Sequence, residues 1–120
     1  MIVTLPYPPS ANRYLRHTVR GTYRTSEAND YRTRAQWLAK AAGFKAAAGA
    51  VVVGVTLHPK TTAKGQPRAT VLDLDNCLKV AIDAMQGVAF ENDKQVKQIS
   101  IAYGAPLPNG GLTLEITPHG

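Results

Sequence analysis

Three acids and one lysine interrupt an otherwise apolar stretch between residues 71 and 85. Asp73 and Asp75 are two residues apart, and Lys79 follows Asp75 after one helical turn. If the chain is still extended at the two acids, both carboxylates can point to the same side, which suits chelation. Hard divalent ions such as Mg²⁺ commonly take one or two carboxylates, and waters and substrate phosphate fill the other positions. A lysine at this spacing can then contact the phosphate or a nucleophilic water.

The same residues also have a purely structural interpretation. A carboxylate at a helix N-terminus accepts backbone N–H bonds and interacts favourably with the helix dipole, so Asp73 or Asp75 can serve as a cap. One acid is enough for that role. Asp75 and Lys79 would then form an ordinary i,i+4 pair worth about 0.2–0.5 kcal/mol. Residue types and spacing alone leave both interpretations open.

The apolar residues that follow predict the element that carries these groups. They recur at helical spacing and form one stripe along one face of an α-helix. Asp75, Lys79 and Asp83 then form a second row that borders the stripe. Gly87 is the expected C-terminal cap. The stripe consists of Leu74, Leu78, Ala81, Ile82 and Met85.

Four other segments predict strands. Residues 1–5 are β-branched and aliphatic, and prolines follow them, as at the end of a short strand. Residues 51–57 are apolar on both sides, which predicts a central strand covered on both faces. Residues 96–103 alternate as a strand does. The turn at residues 106–111 then leads to a last strand, which is predicted to close a hairpin.

A first helix is predicted to begin with Ser26 as its cap and to end near Phe44 or at Gly43. Trp37 lies to one side of the apolar face and is interpreted as core or dimer interface. The sequence thus predicts a compact α/β (α+β) single domain over residues 1–120, with a mixed four-stranded sheet and two main helices in the order β-α-β-α-β-β. The expected buried face of the first helix consists of Tyr31, Ala35, Leu38, Ala42 and Phe44.

The composition narrows the classes of function. The chain has 120 residues, a net charge of +6 and a pI near 9.7. Nucleic acid is the commonest acidic partner of such a small basic protein. The single cysteine excludes an intrachain disulfide, so the cytoplasm is the default compartment. One cysteine and three histidines make no pair at zinc-ligand spacing, and no apolar run approaches the about 18 residues of a membrane span.

Two basic segments precede the acidic motif. Residues 12–24 carry four arginines and two tyrosines without a helical or strand period, which predicts an exposed basic loop. Arginines position a protein on phosphates, and tyrosine rings stack on unpaired bases. Residues 60–69 form a second basic loop that could hold a DNA strand over the metal site. The alternative for both loops is a solvated surface without a ligand.

The acidic motif and the start of the chain resemble a known family. The run Asp73-Leu74-Asp75-Asn76-Cys77-Leu78-Lys79, followed by Asp83-Ala84-Met85 and Glu91-Asn92-Asp93-Lys94-Gln95-Val96, is similar to the D-x-D-N-x-x-K … D-A-h … D-D-x-Q-V pattern of the RusA family of Holliday-junction resolvases. The opening from Leu5 to His17 resembles the start of the same family, so the resemblance spans nearly the whole chain. Where the pattern has two adjacent acids, this chain has Asn92-Asp93, and whether Glu91 compensates stays open.

This resemblance implies a Mg²⁺-dependent endodeoxyribonuclease, with Mn²⁺ as a substitute ion. It also implies a homodimer with two active sites that cuts paired strands symmetrically across a four-way DNA junction. The implied ligands of one or two metal ions are Asp73, Asp75 and Asp93. Lys79 would contact the scissile phosphate or the attacking water, and Asn76 would hydrogen-bond a ligand. The candidate nucleic-acid contacts, from the resemblance and the basic segments, are Asn12, Arg13, Arg16, His17, Lys60, Lys64 and Arg68.

Asp83 is not assigned to the same centre, because eight residues of helix place it about 12 Å from Asp75 along the axis. Two classes of function follow from these patterns. One is a nuclease for four-way junctions, or for other branched or flap DNA. The other is a basic nucleic-acid-binding module without catalysis, in which the acids are caps. Acids near a phosphate path repel it unless metal is bound, which favours the enzyme.

Overall fold

Two helices pack against one face of a four-stranded sheet in the computed structural model, which describes residues 1–10, 15–66 and 72–120. The predicted α+β class, the mixed sheet and the two main helices are confirmed, and a two-stranded hairpin is added. No helix in these ranges is long and apolar enough to cross a membrane. The strands are β1 (Ile2–Leu5), β2 (Leu15–Thr18), β3 (Gly21–Arg24), β4 (Val51–His58), β5 (Val96–Tyr103) and β6 (Gly111–Pro118), and the helices are α1 (Ser26–Ala41), α2 (Leu74–Met85) and a 3₁₀ turn (Asp93–Gln95).

Strand β4 lies inside the sheet, between β6 and β5, as predicted. Its residues alternate between buried and half-buried, so the helices cover only one of its faces. Val53 and Val55 are buried in the core, whereas Val52 and Thr56 line an open groove on the opposite face. The prediction of a strand covered on both faces was wrong. A valine on a solvent-facing sheet surface cannot be distinguished from a core valine by residue type.

The β4–α2–β5 unit fixes the direction of helix α2. Strands β4 and β5 are parallel neighbours, with Val51 opposite Val96 and Leu57 opposite Tyr103. The helix between them therefore runs from the end of β4 back to the start of β5. We call the end of the sheet at Leu57 and Tyr103 the exit edge, and the end at Val51 and Val96 the entry edge. The N-terminus of α2 lies at the exit edge and its C-terminus at the entry edge.

Strand β6 does not pair with β5, so the predicted closing hairpin was wrong. It lies antiparallel between β4 and β1, which gives the sheet order β1-β6-β4-β5. In this position both backbone edges of β6 are paired, and its apolar residues Leu112, Leu114 and Ile116 are buried. A place beside β5 would leave β6 as an unpaired edge, which costs backbone hydrogen bonds and burial.

Helix α1 begins and ends close to the predicted positions. Its cap is Thr25 rather than Ser26, and the Thr25 hydroxyl accepts a hydrogen bond of 3.2 Å from the Ala28 N–H. Gly43 follows the last turn with a φ of +91°. Such a glycine ends a helix because the left-handed conformation costs it no Cβ clash. The earlier of the two predicted ends is therefore confirmed.

The buried face of α1 differs in part from the prediction. Trp37 is 71 % exposed, so its interpretation as a core residue was wrong. Ala42 is exposed as well, because the helix ends before it. Small residues instead let α1 approach the core closely. The buried residues of α1 are Ala28, Tyr31, Ala35 and Ala39.

The basic segment before α1 contains a hairpin instead of the predicted loop. Strands β2 and β3 pair antiparallel, with Arg16 opposite Tyr23 and Thr18 opposite Gly21. Gly21 has a φ of +125° at the turn, a value that β-branched or bulky residues rarely adopt. The ribbon is largely exposed, with polar residues on both faces. Such a ribbon has no apolar alternation by which the sequence could reveal it.

Candidate active site

The N-terminus of α2 presents three charged side chains at the exit edge. Asp73 occupies the N-cap position with extended φ and ψ of −65° and 145°, but its side chain makes no capping hydrogen bond. Asp75 lies in the first turn and Lys79 one turn later, and both are exposed. Among the described residues, none of these three side chains has a hydrogen-bond or ion-pair partner. In the described part of the chain, the Asp73 side chain therefore does not cap α2, and Asp75 and Lys79 do not form an ion pair.

Two tyrosines hold the residue that precedes this group. The Leu72 N–H donates a hydrogen bond of 3.0 Å to the Tyr7 hydroxyl, and the Tyr103 hydroxyl donates one of 2.9 Å to the Leu72 carbonyl. Tyr7 follows β1, and Tyr103 is the last residue of β5. Both polar groups of Leu72 are thus fixed from different parts of the sheet. These two hydrogen bonds fix the backbone at the start of α2, and they therefore fix the position of Asp73.

Sequence reasoning did not identify these two tyrosines as site residues. Tyr7 lies in the proline-rich opening that resembles the RusA family, and this was the only available signal for it. Tyr103 was predicted as one of the residues on a strand face. Its position at the exit edge depends on the parallel pairing of β4 with β5. The sequence pattern does not contain that information.

Lys60 lies beside the tyrosine that binds Leu72. Its ammonium nitrogen is 4.9 Å from the centroid of the Tyr7 ring, which is a cation–π distance. Gly110 makes room for this pair, because a Cβ there would lie 2.6 Å from the Tyr7 ring and 2.9 Å from the Lys60 side chain. Lys60 is therefore a positive charge held on the ring of the tyrosine that binds Leu72. Its predicted contact with nucleic acid stays a prediction.

Asp83 has a structural partner on each of two neighbouring elements. Its carboxylate lies 3.4 Å from Arg24 of β3 and 3.6 Å from Arg32 of α1. These ion pairs connect the hairpin and α1 to α2. They account for an acid in the last turn of α2 by contacts within the chain, and its exclusion from the metal ligands stays a prediction.

The predicted nucleic-acid contacts are distributed over the hairpin and the loop after β4. Arg16 and His17 are exposed on β2, where Arg16 lies opposite Tyr23, and His17 Nδ1 is 2.8 Å from the Thr22 hydroxyl. Lys64 is exposed in a turn closed by hydrogen bonds between residues 62 and 66. Asn12, Arg13 and Arg68 lie outside the described residues.

Asp93 lies in a short turn in which Asn92 and Gln95 make side-chain hydrogen bonds. The Asn92 side chain accepts from the Lys94 N–H at 2.9 Å and caps the turn. The Gln95 amide donates two hydrogen bonds of 2.8 Å, to the carbonyls of Ala47 and Gly49. The Asp93 side chain is exposed and has no hydrogen-bond or ion-pair partner among the described residues. Its carboxylate is therefore not needed for the local structure.

The fold places Asp93 at the entry edge, far from the other two acids at the exit edge. Helix α2 separates them, and its 12 residues span about 18 Å at 1.5 Å per residue. In the described parts of the chain, no three His, Cys, Asp or Glu side chains lie close enough together to hold a metal. Asp73 and Asp75 have the right chemistry for a hard divalent ion. One chain nevertheless does not assemble the three-carboxylate set that the family resemblance implies.

The two other residues of the motif are less exposed. Asn76 is half-buried beside Asp75, and its role as a hydrogen-bond donor to a ligand stays a prediction. Cys77 is fully buried, and burial raises the pKa of its thiol to about 12. A thiol with this pKa is protonated at neutral pH and is not a nucleophile. Cys77 therefore belongs to the core.

Comparison with known proteins matches almost the entire chain to one family. A family profile described as Endodeoxyribonuclease RusA matches residues 6–117. The crossover junction endodeoxyribonuclease RusA of Escherichia coli strain K12 is 32 % identical over 120 residues, which cover 98 % of this chain and 94 % of the relative. The protein of the same name from Shigella sonnei strain Ss046 has the same identity and coverage. A third, from Enterobacteria phage 82, is 31 % identical over the same shares.

Proposed function

Because the chain belongs to the RusA family of endodeoxyribonucleases, we propose that it resolves four-way DNA junctions by hydrolysing phosphodiester bonds in paired strands. The observation that carries this proposal is the state of Asp73, Asp75 and Lys79. They are exposed, unpaired with other described residues, and held at a fixed place by the hydrogen bonds of Leu72. Charged groups without a structural partner on a rigid element are the groups that a ligand can use.

Phosphodiester hydrolysis requires an attacking water, neutralisation of charge on the phosphoryl oxygens, and stabilisation of the leaving 3′ oxygen. We assign Lys79 to the second task, since its ammonium group can donate to a phosphoryl oxygen without losing an existing partner. Asp73 and Asp75 are assigned as ligands of Mg²⁺, with Mn²⁺ as a substitute. A divalent ion, when bound, supplies a more acidic water and charge neutralisation. The two tyrosine hydroxyls hold the backbone of Leu72, which directly precedes these carboxylates in the chain.

The substrate and the setting follow from the names of the relatives and from the charge. The relatives are named for crossover junctions, and a net charge of +6 suits a nucleic acid. Arg16, His17 and Lys64 are exposed and available to phosphates. We propose that the protein acts as a homodimer, because paired symmetric cuts need two centres. We place its action in the cytoplasm of a bacterium or of a phage-infected host.

A non-catalytic DNA-binding module is the second candidate. The exposed basic hairpin and Lys60 would serve such a module equally well. However, a binder gains nothing from Asp73 and Asp75, because neither acid caps α2 by a side-chain bond in the described structure and both repel phosphate. The acids therefore favour the nuclease.

The first experiment is cleavage of a labelled synthetic four-way junction with Mg²⁺, beside linear duplex and a flap substrate. We expect paired nicks at symmetric positions in the junction only. Asp75→Asn should bind the junction but not cut it. Asp30→Asn is the matched control, because Asp30 is an exposed acid on α1, and it should cut like the wild type.

Three results would change the assignment. Junction binding without cleavage by the wild type would establish the binding module. Faster cleavage of the flap than of the four-way junction would show that the substrate is another kind of branched DNA. Equal loss of cleavage in Asp30→Asn and Asp75→Asn would show a general charge effect instead of a site.

A further inference from the structure

We propose that the tip of the β2–β3 hairpin is a wedge, and that Val19 inserts between base pairs at the branch point of the four-way junction. The inference rests on the proposed function, because it takes the junction as the substrate. It concerns how that substrate is distinguished from linear duplex. Val19 and Arg20 form the two-residue turn between β2 and β3. Val19 is fully exposed, with a relative accessible surface of 106 %.

The folding of the hairpin does not explain a valine at this position. Two-residue hairpin turns favour Asn, Asp and Gly, which adopt the turn conformations at low cost. A single exposed apolar residue on a flat protein surface needs no explanation. Val19 instead lies at the end of a projecting ribbon whose other residues are largely polar. A ligand that removes this side chain from water would stabilise the complex.

The turn that presents Val19 is held in one shape by its neighbours. The Thr18 hydroxyl accepts a hydrogen bond of 3.2 Å from the Arg20 N–H and donates one of 3.1 Å to the Gly21 carbonyl. Gly21 has a φ of +125°, which lets the chain return into β3. Because the tip is already ordered, binding does not have to order it, and more of the interaction energy appears as affinity.

The root of the hairpin is attached to the body of the protein. Arg24 lies 3.4 Å from the carboxylate of Asp83 and 3.4 Å from the side-chain oxygen of Asn29. Leu15 packs against the core. Asp83 is about 12 Å from Asp75 along the axis of α2, which corresponds to about three to four base-pair steps of 3.4 Å. The wedge and the acidic pair can therefore act on the same junction.

The surroundings of Val19 favour a nucleic acid as the ligand. Residues 15–24 contain three arginines and no acid. Arg16 lies opposite Tyr23, whose ring is half exposed. The arginines can bind the phosphates beside an opened base step, and the tyrosine ring can stack on a displaced base. Apolar wedges beside basic groups are used by proteins that open base steps and bend DNA.

The branch point is where such a wedge is least costly to insert. Insertion into a linear duplex requires two stacked base pairs to separate. At a four-way junction the stack of each arm already ends at the crossing, so less stacking is lost. Val19 should therefore add to the affinity for the junction and leave the affinity for linear duplex unchanged. This difference gives selectivity without any contact to a particular base.

The test follows base unstacking at saturating protein and without divalent metal, so that no strand is cut. One junction carries 2-aminopurine at the branch point, and a second carries it within an arm. The wild type should raise the fluorescence of the first junction several-fold and leave the second unchanged. Val19→Ser should abolish this rise, whereas Val19→Ile, which keeps a branched apolar side chain, should preserve it. Ile2→Ser is the matched control, because Ile2 is an exposed apolar residue of β1, and it should behave like the wild type.

A gel-shift titration measures the contribution of Val19 to selectivity. Val19→Ser should lower the affinity for the junction about 10-fold, as expected when one valine side chain is no longer buried. Its affinity for linear duplex should equal that of the wild type. Thermal melts of all variants should be unchanged, because the substituted side chains are exposed.

The outcomes separate this proposal from the proposed function. If the wild type unstacks the branch point but never cuts it, the nuclease assignment fails and the wedge stands. If it cuts but causes no rise in fluorescence, the wedge is overturned and the proposed function stands. Equal losses of junction and duplex affinity in Val19→Ser would also overturn the wedge, and so would a loss of unstacking in Ile2→Ser.

Two further results would overturn the wedge. Absence of any binding to the junction by the wild type would overturn both the wedge and the proposed function. Binding to phosphatidylglycerol vesicles that is lost in Val19→Ser, without unstacking of the junction, would assign the tip to a membrane surface instead.

Discussion

The Tyr103 hydroxyl donates a 2.9 Å hydrogen bond to the carbonyl of Leu72, which lies 31 residues earlier in the chain. Leu72 immediately precedes Asp73 and the first turn of α2. The end of one strand thus fixes the start of the helix that carries the acidic pair. The same peptide segment is held from the other side by Tyr7.

Removal of either hydroxyl should loosen the acidic pair while the fold persists. Tyr7→Phe and Tyr103→Phe each remove one hydrogen bond, which contributes about 0.5–1.5 kcal/mol. Loss of such a positioning bond next to a metal ligand commonly costs about 10-fold in metal affinity or activity. We expect weaker Mn²⁺ binding and faster amide hydrogen exchange at residues 72–75. Tyr23→Phe, on the exposed hairpin, is the control, and equal behaviour of all three variants would contradict the positioning role.

Lys79 should affect the rate of cleavage and leave junction affinity nearly unchanged. The Lys79 ammonium has no partner among the described residues, so its substitution breaks no structural contact. If it donates to the phosphate in the transition state, Lys79→Gln should lower kcat about 100-fold. Single-turnover cleavage and gel-shift binding measure the two quantities. Lys40→Gln is the matched control, because Lys40 is an exposed lysine in the last turn of α1. A change in the junction affinity of Lys79→Gln without a change in kcat would assign Lys79 to binding.

Asp83 and Asp75 should respond in opposite ways to the same substitution. Asp83→Asn weakens two partly exposed ion pairs, to Arg24 and Arg32, and should cost less than about 1 kcal/mol of unfolding free energy. Cleavage should persist. Asp75→Asn should abolish cleavage without loss of stability, because Asp75 has no partner among the residues that the structure describes. Urea denaturation and junction cleavage on both variants check this, and loss of cleavage in a stable Asp83→Asn would place Asp83 in the site.

The hairpin should contribute to affinity through phosphate contacts. Arg16 and Arg20 are exposed on β2 and at the turn. Each arginine that neutralises a phosphate should change the slope of log affinity against log salt by about 1 when it is removed. We expect Arg16→Ala and Arg20→Ala to bind the junction more weakly and with a shallower slope. Arg34→Ala, exposed on α1, should bind like the wild type, and an unchanged slope in the hairpin variants would exclude the hairpin from the interface.

The buried thiol should make stability decrease in alkali. Burial raises the pKa of Cys77 to about 12 in the folded state, above its ordinary value of 9.0. Between these two values the unfolded chain has released the proton while the folded chain retains it, so the free energy of unfolding falls as the pH rises. Below pH 9 the effect is absent. Urea denaturation at pH 7 and pH 10 measures the free energy of unfolding at both values. The decrease from pH 7 to pH 10 should be larger for the wild type than for Cys77→Ala. Equal decreases would contradict a contribution of the Cys77 thiol.

The sequence alone predicted the features that depend on neighbours along the chain. The helical spacing of apolar residues identified α2, and Gly43 was one of the two predicted ends of α1, because caps and periodicity are local. The α+β class and the four-stranded sheet followed from the same patterns. The motif from Asp73 to Lys79 identified the family, which the profile over residues 6–117 shows.

Tertiary structure decided what depends on distant contacts. The place of β6 between β1 and β4, and the open face of β4, depend on which strands pair, and residue types do not encode that choice. Tyr7 and Tyr103 meet Leu72 only because the parallel β4–α2–β5 unit brings the end of β5 to the start of α2. The same unit separates Asp93 from Asp75 by the length of a helix. The 18 residues between Asp75 and Asp93 in the sequence do not determine how far apart the two side chains lie. A rigid helix between two parallel strands does determine it.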